Sequence, residues 1–220
     1  MGPDCCRPDY DAVFDDRAAR RELAAYRRRG TTGTTRELLE AIRNAGVEGA
    51  TVLDIGGGVG VIGSELLAAG ATRLTDVDAS RPYLATAREE IERRGFADRA
   101  AFRYGDFVEL AGEIEPADVV TLDRVICCYG DWTALVDRST ERARRLYGLV
   151  FPRDRWWMRV IVAAGNLGLR LFRQRFRFYV HPERAVDERI RAAGFEVVHH
   201  RRGIAWQSVL YRRREAAAAA

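Results

Sequence analysis

The sequence predicts an α/β fold: a doubly wound, mostly parallel sheet with helices on both faces. Segments of strand formers alternate with helical segments between residues 51 and 152, a rhythm typical of parallel βαβ units. The first strand, TVLDI, runs directly into the glycine-rich loop GGGVG. Doubly wound sheets bind ligands at the carboxyl ends of their strands, beside the first strand-to-helix turn. We therefore expect a ligand site at this loop.

The composition is that of an ordinary globular protein. The chain has 220 residues, of which 47% are hydrophobic and 31% charged, which is enough for one domain with a complete core and excludes a disordered chain. Its beginning, MGPDCCRPDYDAVFDDR, has no apolar signal region, so we expect a cytoplasmic protein. The chain contains arginine but no lysine. This uniform choice indicates a coding bias, and we expect no nucleic-acid partner.

A helical extension precedes the first strand, and we define residues 1–46 as an N-terminal helical cap. Its first helix is predicted over residues 15–29. A second helix follows in TTGTTRELLE, where Thr34 is the predicted N-cap residue and Glu37 completes a capping box. The aromatic side chains of the cap that we expect to close over the ligand are Tyr10, Phe14 and Tyr26.

Residues 47–215 form the predicted main domain, and the alanine tail, 216–220, is assigned no function. After TVLDI the predicted strands are TRLTDVD, AAFRYGD, ADVVTLDRVICC and LYGLVFP, and the last two are separated by the predicted helix WTALVDRSTERARR. Near the end, FEVVHHRRG and AWQSVLYRR are two strands only a short turn apart. Strands joined this closely must pair antiparallel.

The glycine loop fits two kinds of ligand. In one register the loop is G-x-G-x-G and consists of Gly56, Gly58 and Gly60. In the other register it begins at Gly58 and is G-x-G-x-x-G, the dinucleotide fingerprint. Asp54 lies two positions before Gly56. A carboxylate there would repel a pyrophosphate and attract a cation. Asp54 therefore favours S-adenosylmethionine, which carries an ammonium and a sulfonium and no phosphate, over a nicotinamide dinucleotide.

Two more acidic residues end the next two predicted strands. Asp78, in VDAS, can accept hydrogen bonds from both hydroxyls of a ribose, which either cofactor would provide. Asp106, in RYGDF, can accept from the amino group of an adenine, and Phe107 offers an apolar surface to its ring. Because parallel strands end at one edge of the sheet, these residues are expected to share one site.

Together, VLDIGGGVG, VDAS and GDF resemble the motifs of class I, Rossmann-like S-adenosylmethionine-dependent methyltransferases, over residues 51–124. The resemblance implies a seven-stranded sheet with the last strand inserted antiparallel. It also implies cofactor roles for the matching residues: Gly56, Gly58 and Gly60 beneath the methionine portion, Asp54 orienting it, Asp78 holding the ribose, and Asp106 with Phe107 receiving the adenine. The alternatives of another class are an NAD-dependent oxidoreductase and a non-catalytic cofactor-binding domain.

Residues after the fourth strand, TLDRVICCYGDW, are the candidates for the acceptor site. Methyl transfer is an in-line displacement in which positioning supplies most of the catalysis, so no base is obligatory. The Asn/Asp-Pro-Pro-aromatic run of nucleic-acid amino methylases is absent here, and we expect a small-molecule acceptor that is methylated at oxygen. The candidate catalytic residues are Asp123, Arg124 and Tyr129, with His181 as a further proton acceptor.

The four cysteines form two adjacent pairs, Cys5-Cys6 and Cys127-Cys128. Neither pair has C-x-x-C spacing or a nearby histidine motif, so we expect no bound metal. The thiols could instead bind a thiophilic metalloid such as arsenite, which makes metalloid or thiol methylation an alternative function. Equally, Cys127 and Cys128 could be small side chains that pack at the end of a strand.

A basic and apolar helical insertion is predicted over residues 153–181. Residues 151–181 include seven arginines and one aspartate, and the segment is too polar to span a membrane. It could be a substrate lid, a membrane-surface helix over residues 156–179, or an RNA platform; alternatively, its apolar stripe packs on the sheet. That stripe, at helical spacing, consists of Trp157, Val160, Ile161, Ala164, Leu167 and Leu171.

The order of helix pair, methyltransferase core, FPR turn and long apolar-basic helix is similar to that of the magnesium-protoporphyrin O-methyltransferase group. This resemblance implies that the acceptor is a carboxylate, such as a propionate of a flat tetrapyrrole. Arg153, Arg155 and Arg177 could then pair with carboxylates, and Trp156 and Trp157 could stack on the macrocycle.

Overall fold

The computed structural model describes residues 10–215, and these form one seven-stranded sheet. The predicted cysteine pair Cys5-Cys6 and the alanine tail lie outside the described residues. The strands are β1 Thr51–Ile55, β2 Arg73–Asp78, β3 Ala100–Tyr104, β4 Ala117–Asp123, β5 Ala143–Pro152, β6 Phe195–Arg202 and β7 Trp206–Arg213. Their order across the sheet is β3-β2-β1-β4-β5-β7-β6. Only β7 runs antiparallel to its neighbours, so the predicted fold class and strand insertion are confirmed.

Helices surround the sheet and precede it. They are α1 Tyr10–Val13, α2 Asp16–Arg29, α3 Gly33–Asn44, α4 Val61–Ala68, α5 Arg81–Arg93, α6 Phe107–Leu110, α7 Trp132–Arg142, α8 Trp156–Leu171 and α9 Glu183–Ala192. Among residues 10–215, no helix has the length and the apolar content needed to cross a bilayer.

Alternating residues of the strands build a separate core on each face of the sheet. In β1, Leu53 and Ile55 join one cluster, together with α7 and α9, while Val52 joins the other, together with α3 and α4. This two-residue period places every second side chain on the same face. Both faces of the central strands are therefore apolar, which explains their nearly continuous hydrophobic sequences.

Three predicted boundaries are wrong. The capping box at Thr34 does not form, because α3 already begins at Gly33 and its N-cap residue makes no side-chain hydrogen bond. The predicted strand ADVVTLDRVICC ends at Asp123, and residues 126–128 form a 3-10 turn instead. The helix predicted through Arg145 ends at Arg142, because Ala143 and its successors are extended and pair with β4 and β7.

One of the alternatives for the insertion, in which its apolar stripe packs on the sheet, does not match the structure of α8. In α8 only Met158 is buried, and most apolar side chains of the predicted stripe are exposed to solvent. Leu167, for example, has 58% of its surface exposed. The sequence period identified the helix correctly, but a period does not say which face of the helix is turned inward.

A buried carboxylate is one of the contacts that attach α2 to the core. Glu90 of α5 is fully buried and accepts hydrogen bonds from Arg27 of α2 at 2.8 Å and from Arg93 at 2.6 and 2.9 Å. Burial alone would raise the pKa of Glu90, but these hydrogen bonds hold it below its ordinary value. Beside this contact, Leu23 packs against Tyr83. Glu90 therefore fixes α2 above the ligand site.

We expect Glu90→Gln to lower the free energy of unfolding by about 1–2 kcal/mol at pH 7, because two arginines lose their shared charged partner. Since the folded-state pKa is lowered, this contribution is present above the ordinary glutamate pKa and is lost as the pH falls through the folded value. Urea unfolding at pH 7 and at pH 3 measures both effects. Glu89→Gln, which removes an exposed partner of Arg27, is the control; an equal loss in both variants would contradict this role.

Candidate functional site

A cavity of about 360 Å³ lies at the carboxyl ends of β1, β2 and β4. Its size is that of a small-molecule site. Its wall contains most of the residues expected to bind the cofactor: Asp54, Gly56, Gly58, Asp78, Asp106 and Phe107. Asp123, Arg124 and Tyr129 also line it. The structure thus brings residues from four parts of the chain to one place.

The glycine turn of the cavity requires residues without a side chain. Gly56 and Gly58 have φ angles of +63° and +61°, which L-residues with a Cβ rarely adopt. A Cβ on Gly56 would lie 2.5 Å from Val125. The amide of Gly58 donates to the carboxylate of Asp78 at 3.1 Å. The turn therefore presents bare backbone to the cavity and is tied to the end of the neighbouring strand.

Gly60 has a different position from the other two glycines of the motif. It precedes α4 with φ +78°, and a Cβ there would lie 3.1 Å from Ala87 of α5. The cavity lining, among the described residues, does not include it. In this structure Gly60 allows α4 to begin and to pack closely on α5.

Buried carboxylates lie beneath the glycine turn. Asp54 accepts a hydrogen bond from Thr121 at 2.7 Å, whereas its Oδ2 has no hydrogen-bond partner among residues 10–215. Asp76 pairs with Asp54 in the strand register; burial and the charge of Asp54 raise its pKa. A Cβ on Gly57 would lie 2.5 Å from this carboxylate. Burial likewise raises the pKa of Asp54, so the cluster has unsatisfied affinity for a positive group.

Asp76 was not among the residues selected from the sequence. The run TDVD contains two carboxylates two residues apart, so both point to one side of the strand. A second acid inside a buried strand is unusual and could have identified it.

Two carboxylates hold the sides of the cavity in position. Asp78 accepts from the amides of Ser80 at 2.7 Å and Gly58 at 3.1 Å, and burial raises its pKa to about 6. Asp106 is the N-cap residue of α6 and accepts from the amide of Val108. The hydroxyl of Tyr129 also donates to Asp106, at 2.9 Å. Each carboxylate is thus oriented before any ligand binds.

Aromatic side chains close one side of the cavity. Tyr10, Phe14, Tyr26 and Tyr83 line it, and Phe14 meets Tyr83 edge to face with ring centroids 5.5 Å apart. Phe176, which lies outside the cavity lining, packs against both Tyr10 and Phe14. Phe176 was not predicted to support the site, because only the tertiary structure brings the segment after α8 onto α1.

Asp123 and Arg124 occupy the end of β4 at the cavity wall. Asp123 accepts a hydrogen bond from Thr35 of the helical cap at 2.6 Å, and its Oδ1 has no hydrogen-bond partner within the described part of the chain. Arg124 has φ +62°, a strained backbone conformation for a residue with a side chain. Its guanidinium lies 5.4 Å from the ring of Trp206. Its Nε lies 3.7 Å from Oδ1 of Asp123, so Arg124 is a half-exposed cation at the cavity wall that is paired with Asp123.

The cysteine pair lies at the same end of the cavity. Cys127 is buried, Cys128 lines the cavity, and their sulfur atoms are 3.8 Å apart. The hydrogen bond with Cys127, together with burial, raises the pKa of the Cys128 thiol. A neutral thiol is a poor ligand for a soft metal or metalloid. The described residues contain no cluster of His, Cys, Asp or Glu arranged to hold a metal ion.

His181 lies behind the loop that carries Tyr129. Its Nε2 is 2.9 Å from the carbonyl oxygen of Ile126 and 3.1 Å from that of Tyr129, and its ring stacks on Tyr179. All three histidines of the chain lie within the described residues, and none of them lines the cavity. The position of His181 is that of a side chain that orients the 126–129 turn.

The arginines and tryptophans suggested for a tetrapyrrole lie away from the cavity lining described here. Arg153 donates to the carbonyl oxygen of Gly203, and Arg177 donates to carbonyl oxygens of its own segment. Trp156 is 77% exposed. These side chains would have to rearrange, or the acceptor would have to extend beyond the cavity, for them to bind it.

Comparisons with known proteins agree with this geometry. A family described as a methyltransferase domain matches residues 52–146. The magnesium protoporphyrin IX methyltransferase of Synechocystis, solved with S-adenosylhomocysteine, is similar in structure, with a TM-score of 0.66, 19% identity and coverage of 93% of this chain and 100% of that chain. The same enzyme with S-adenosylmethionine gives a TM-score of 0.66, 17% identity and coverage of 94% and 99%.

A second similar structure is an O-methyltransferase family protein from Burkholderia thailandensis, with a TM-score of 0.68 and 19% identity, covering 92% of this chain and 62% of that chain. A search among curated protein sequences gives no match. These solved structures share less than 25% of their residues with this chain, so the similarity shows a common fold.

We expect His181 to remain neutral with its proton on Nε2, because both nearby atoms are carbonyl oxygens. Burial lowers its pKa despite these hydrogen bonds. The free energy of unfolding therefore decreases as the pH falls below the ordinary histidine pKa, because the unfolded state binds the proton more tightly. Nitrogen-15 NMR spectra report the tautomer and the titration midpoint, with His181→Ala to assign the signal. A midpoint above the ordinary value would contradict this environment.

Proposed function

We propose that this chain, a Rossmann-like S-adenosylmethionine-dependent methyltransferase, methylates a carboxylate oxygen of a small-molecule acceptor. The observation that carries the proposal is the strained, half-exposed Arg124 at the cavity wall, in a wall without a histidine. A carboxylate acceptor is attracted by the guanidinium. Because it is ionised at neutral pH, it needs no base.

The cavity residues fit the cofactor. Asp54 and Asp123 each have a carboxylate oxygen without a hydrogen-bond partner among the described residues, and these carboxylates would attract its ammonium and sulfonium charges. Asp78 would accept from the ribose hydroxyls. Asp106 and Phe107 would receive the adenine, and the bare turn at Gly56 and Gly58 leaves room for the methionine portion.

When bound, S-adenosylmethionine supplies an electrophilic methyl group: its C–S bond breaks as the carboxylate oxygen forms the new O–C bond, leaving S-adenosylhomocysteine and a methyl ester. The chain's own residues align the acceptor and exclude water. Burial raises the pKa values of Tyr10 and Tyr129 above the usual tyrosine range. These hydroxyls therefore stay protonated and can donate hydrogen bonds but cannot serve as bases.

The first acceptor to test is a flat tetrapyrrole that carries a propionate. It is supported by the similarity to magnesium protoporphyrin IX methyltransferase over nearly the whole chain. The thiol or metalloid alternative is less well supported, because the raised pKa of Cys128 disfavours a thiolate in the cavity.

We expect the affinity for S-adenosylhomocysteine to fall about tenfold per pH unit below pH 6, because ribose binding requires the ionised form of Asp78. Burial raises the pKa of Asp78 to about 6. The carboxylate that accepts hydrogen bonds from the ribose is therefore ionised above that pH and protonated below it. Asp78→Asn should bind at least about tenfold more weakly at pH 8 and lose this dependence on Asp78. Isothermal calorimetry from pH 5 to 8 measures both, with exposed Asp98→Asn as the control. An unchanged affinity in Asp78→Asn would exclude Asp78 from the cofactor site.

We expect labelled methyl transfer to magnesium protoporphyrin IX, or to another carboxylic acid in a panel, to give an ester that mild alkali hydrolyses to methanol. Arg124→Gln should raise the KM for the acceptor about tenfold or more, since a charge-assisted hydrogen bond contributes about 1.5–3 kcal/mol. The affinity for S-adenosylhomocysteine should stay within about twofold. Arg103→Gln, which removes an exposed arginine outside the cavity lining, is the control.

Two outcomes would contradict the carboxylate proposal. An alkali-stable product would mean transfer to nitrogen, sulfur or an ether oxygen. Weaker binding of S-adenosylhomocysteine by Arg124→Gln, with the acceptor KM unchanged, would assign Arg124 to the carboxylate of the cofactor.

A further inference from the structure

One face of α8 is apolar and points away from the protein. At 100° per residue, positions 156, 160, 167 and 171 fall within about 60° of one another on the helix. We call these four residues the outer stripe. Their exposed fractions are 77% for Trp156, 59% for Val160, 58% for Leu167 and 75% for Leu171. The next residue, Phe172, is 82% exposed.

The orientation of α8 is fixed by contacts on its opposite face. Met158 is buried there. The side chain of Asn166 donates to the carbonyl oxygen of Phe178 and accepts from the amide of Phe178, both at 2.8 Å. A helix held in this way cannot rotate its outer stripe inward without breaking both hydrogen bonds. The fold therefore holds the outer stripe in its exposed position.

The surroundings of the outer stripe are basic. Exposed arginines occur before, within and after α8: Arg155, Arg159, Arg170, Arg173 and Arg175. The acidic side chain in residues 151–181 is Asp154, which pairs with Arg159 at 2.7 Å. The positive charge of this segment exceeds that of the whole chain, which is +4. An apolar stripe with basic flanks is complementary to a surface with anionic headgroups above an apolar layer.

The tip of the β6–β7 hairpin lies beside the beginning of α8. The amide of Arg153 donates to the carbonyl oxygen of Ala205 at 2.8 Å, and its guanidinium donates to that of Gly203 at 3.0 Å. Between these two residues, Ile204 is 85% exposed. Arg201 and Arg202, just before the tip, are exposed as well. The hairpin thus repeats the combination found on α8: an exposed aliphatic side chain next to arginines.

We infer that the outer stripe and the hairpin tip dock on an anionic lipid surface. The outer stripe beyond Trp156 is aliphatic, and aliphatic side chains cannot stack on the bases of RNA. Within the described chain, the cavity lining includes no residue of α8, so the stripe does not act as its lid. A helix of 16 residues is about 24 Å long, and one such stripe is narrower than a stable protein interface requires.

Docking in this way places α8 in the plane of the lipid headgroups, with its arginine heads at the level of the phosphates. The inference does not depend on which acceptor is methylated, because it rests on surface geometry alone.

Sedimentation with vesicles tests the inference with the full chain. We expect binding to vesicles of phosphatidylcholine that contain about 30% phosphatidylglycerol, which gives them a negative surface. We expect little binding to vesicles of phosphatidylcholine alone. Leu167→Gln with Leu171→Gln should weaken binding about tenfold or more, because two side chains leave the acyl boundary. These residues are exposed, so the fold should tolerate the change. The control is Val198→Gln, an exposed apolar residue on β6 that lies outside both docking elements.

Three further measurements separate the lipid surface from other occupants. Trp156 fluorescence should be quenched by brominated lipid, and Trp156→Phe should remove the quenched component. Absence of vesicle binding, or equal binding by the control and the double variant, would overturn the inference. Two other results would also overturn the inference if they occur without binding to vesicles. One is a dimer in sedimentation velocity that is lost in the double variant, and the other is salt-dependent binding to RNA.

Discussion

The site depends on the sharp turn that follows β1, where the backbone passes over buried carboxylates. Gly56 and Gly58 adopt φ angles that a side chain would strain, and Gly57 lies so close to Asp76 that a Cβ would overlap its carboxylate. The turn therefore exists only because this stretch has no side chains. It brings bare amides, unpaired carboxylate oxygens and the end of β2 together in one cavity.

The carboxylates under the turn give the site its chemical preference. Burial raises the pKa values of Asp54, Asp76 and Asp123, which means that the empty cavity holds negative charge at a cost in free energy. A positively charged ligand relieves that cost, whereas a diphosphate would increase it. The preference for a positively charged ligand is thus a property of the strand ends.

The segments around this centre serve other purposes. The helical cap, attached through Glu90, supplies the aromatic side of the cavity and Thr35, the partner of Asp123. The segment after α8 contributes Phe176, which supports the aromatic residues, and His181, which orients the 126–129 turn. The same segment leaves α8 with its apolar stripe outward. A candidate cofactor site and a candidate docking surface are therefore built from adjoining parts of the chain.

The sequence by itself determined the α/β class, the antiparallel final hairpin and the place of the cavity, because strand period, glycine spacing and acids at strand ends are local properties. It also identified Asp54, one of the buried carboxylates that line the cavity. Only the tertiary structure decided which face of α8 is exposed, that Gly60 packs against α5 instead of lining the cavity, and that Asp76 lies under Gly57. Periodicity shows which residues share a face, but the direction of that face depends on contacts such as those of Asn166 with Phe178, which lie 12 positions apart in the sequence.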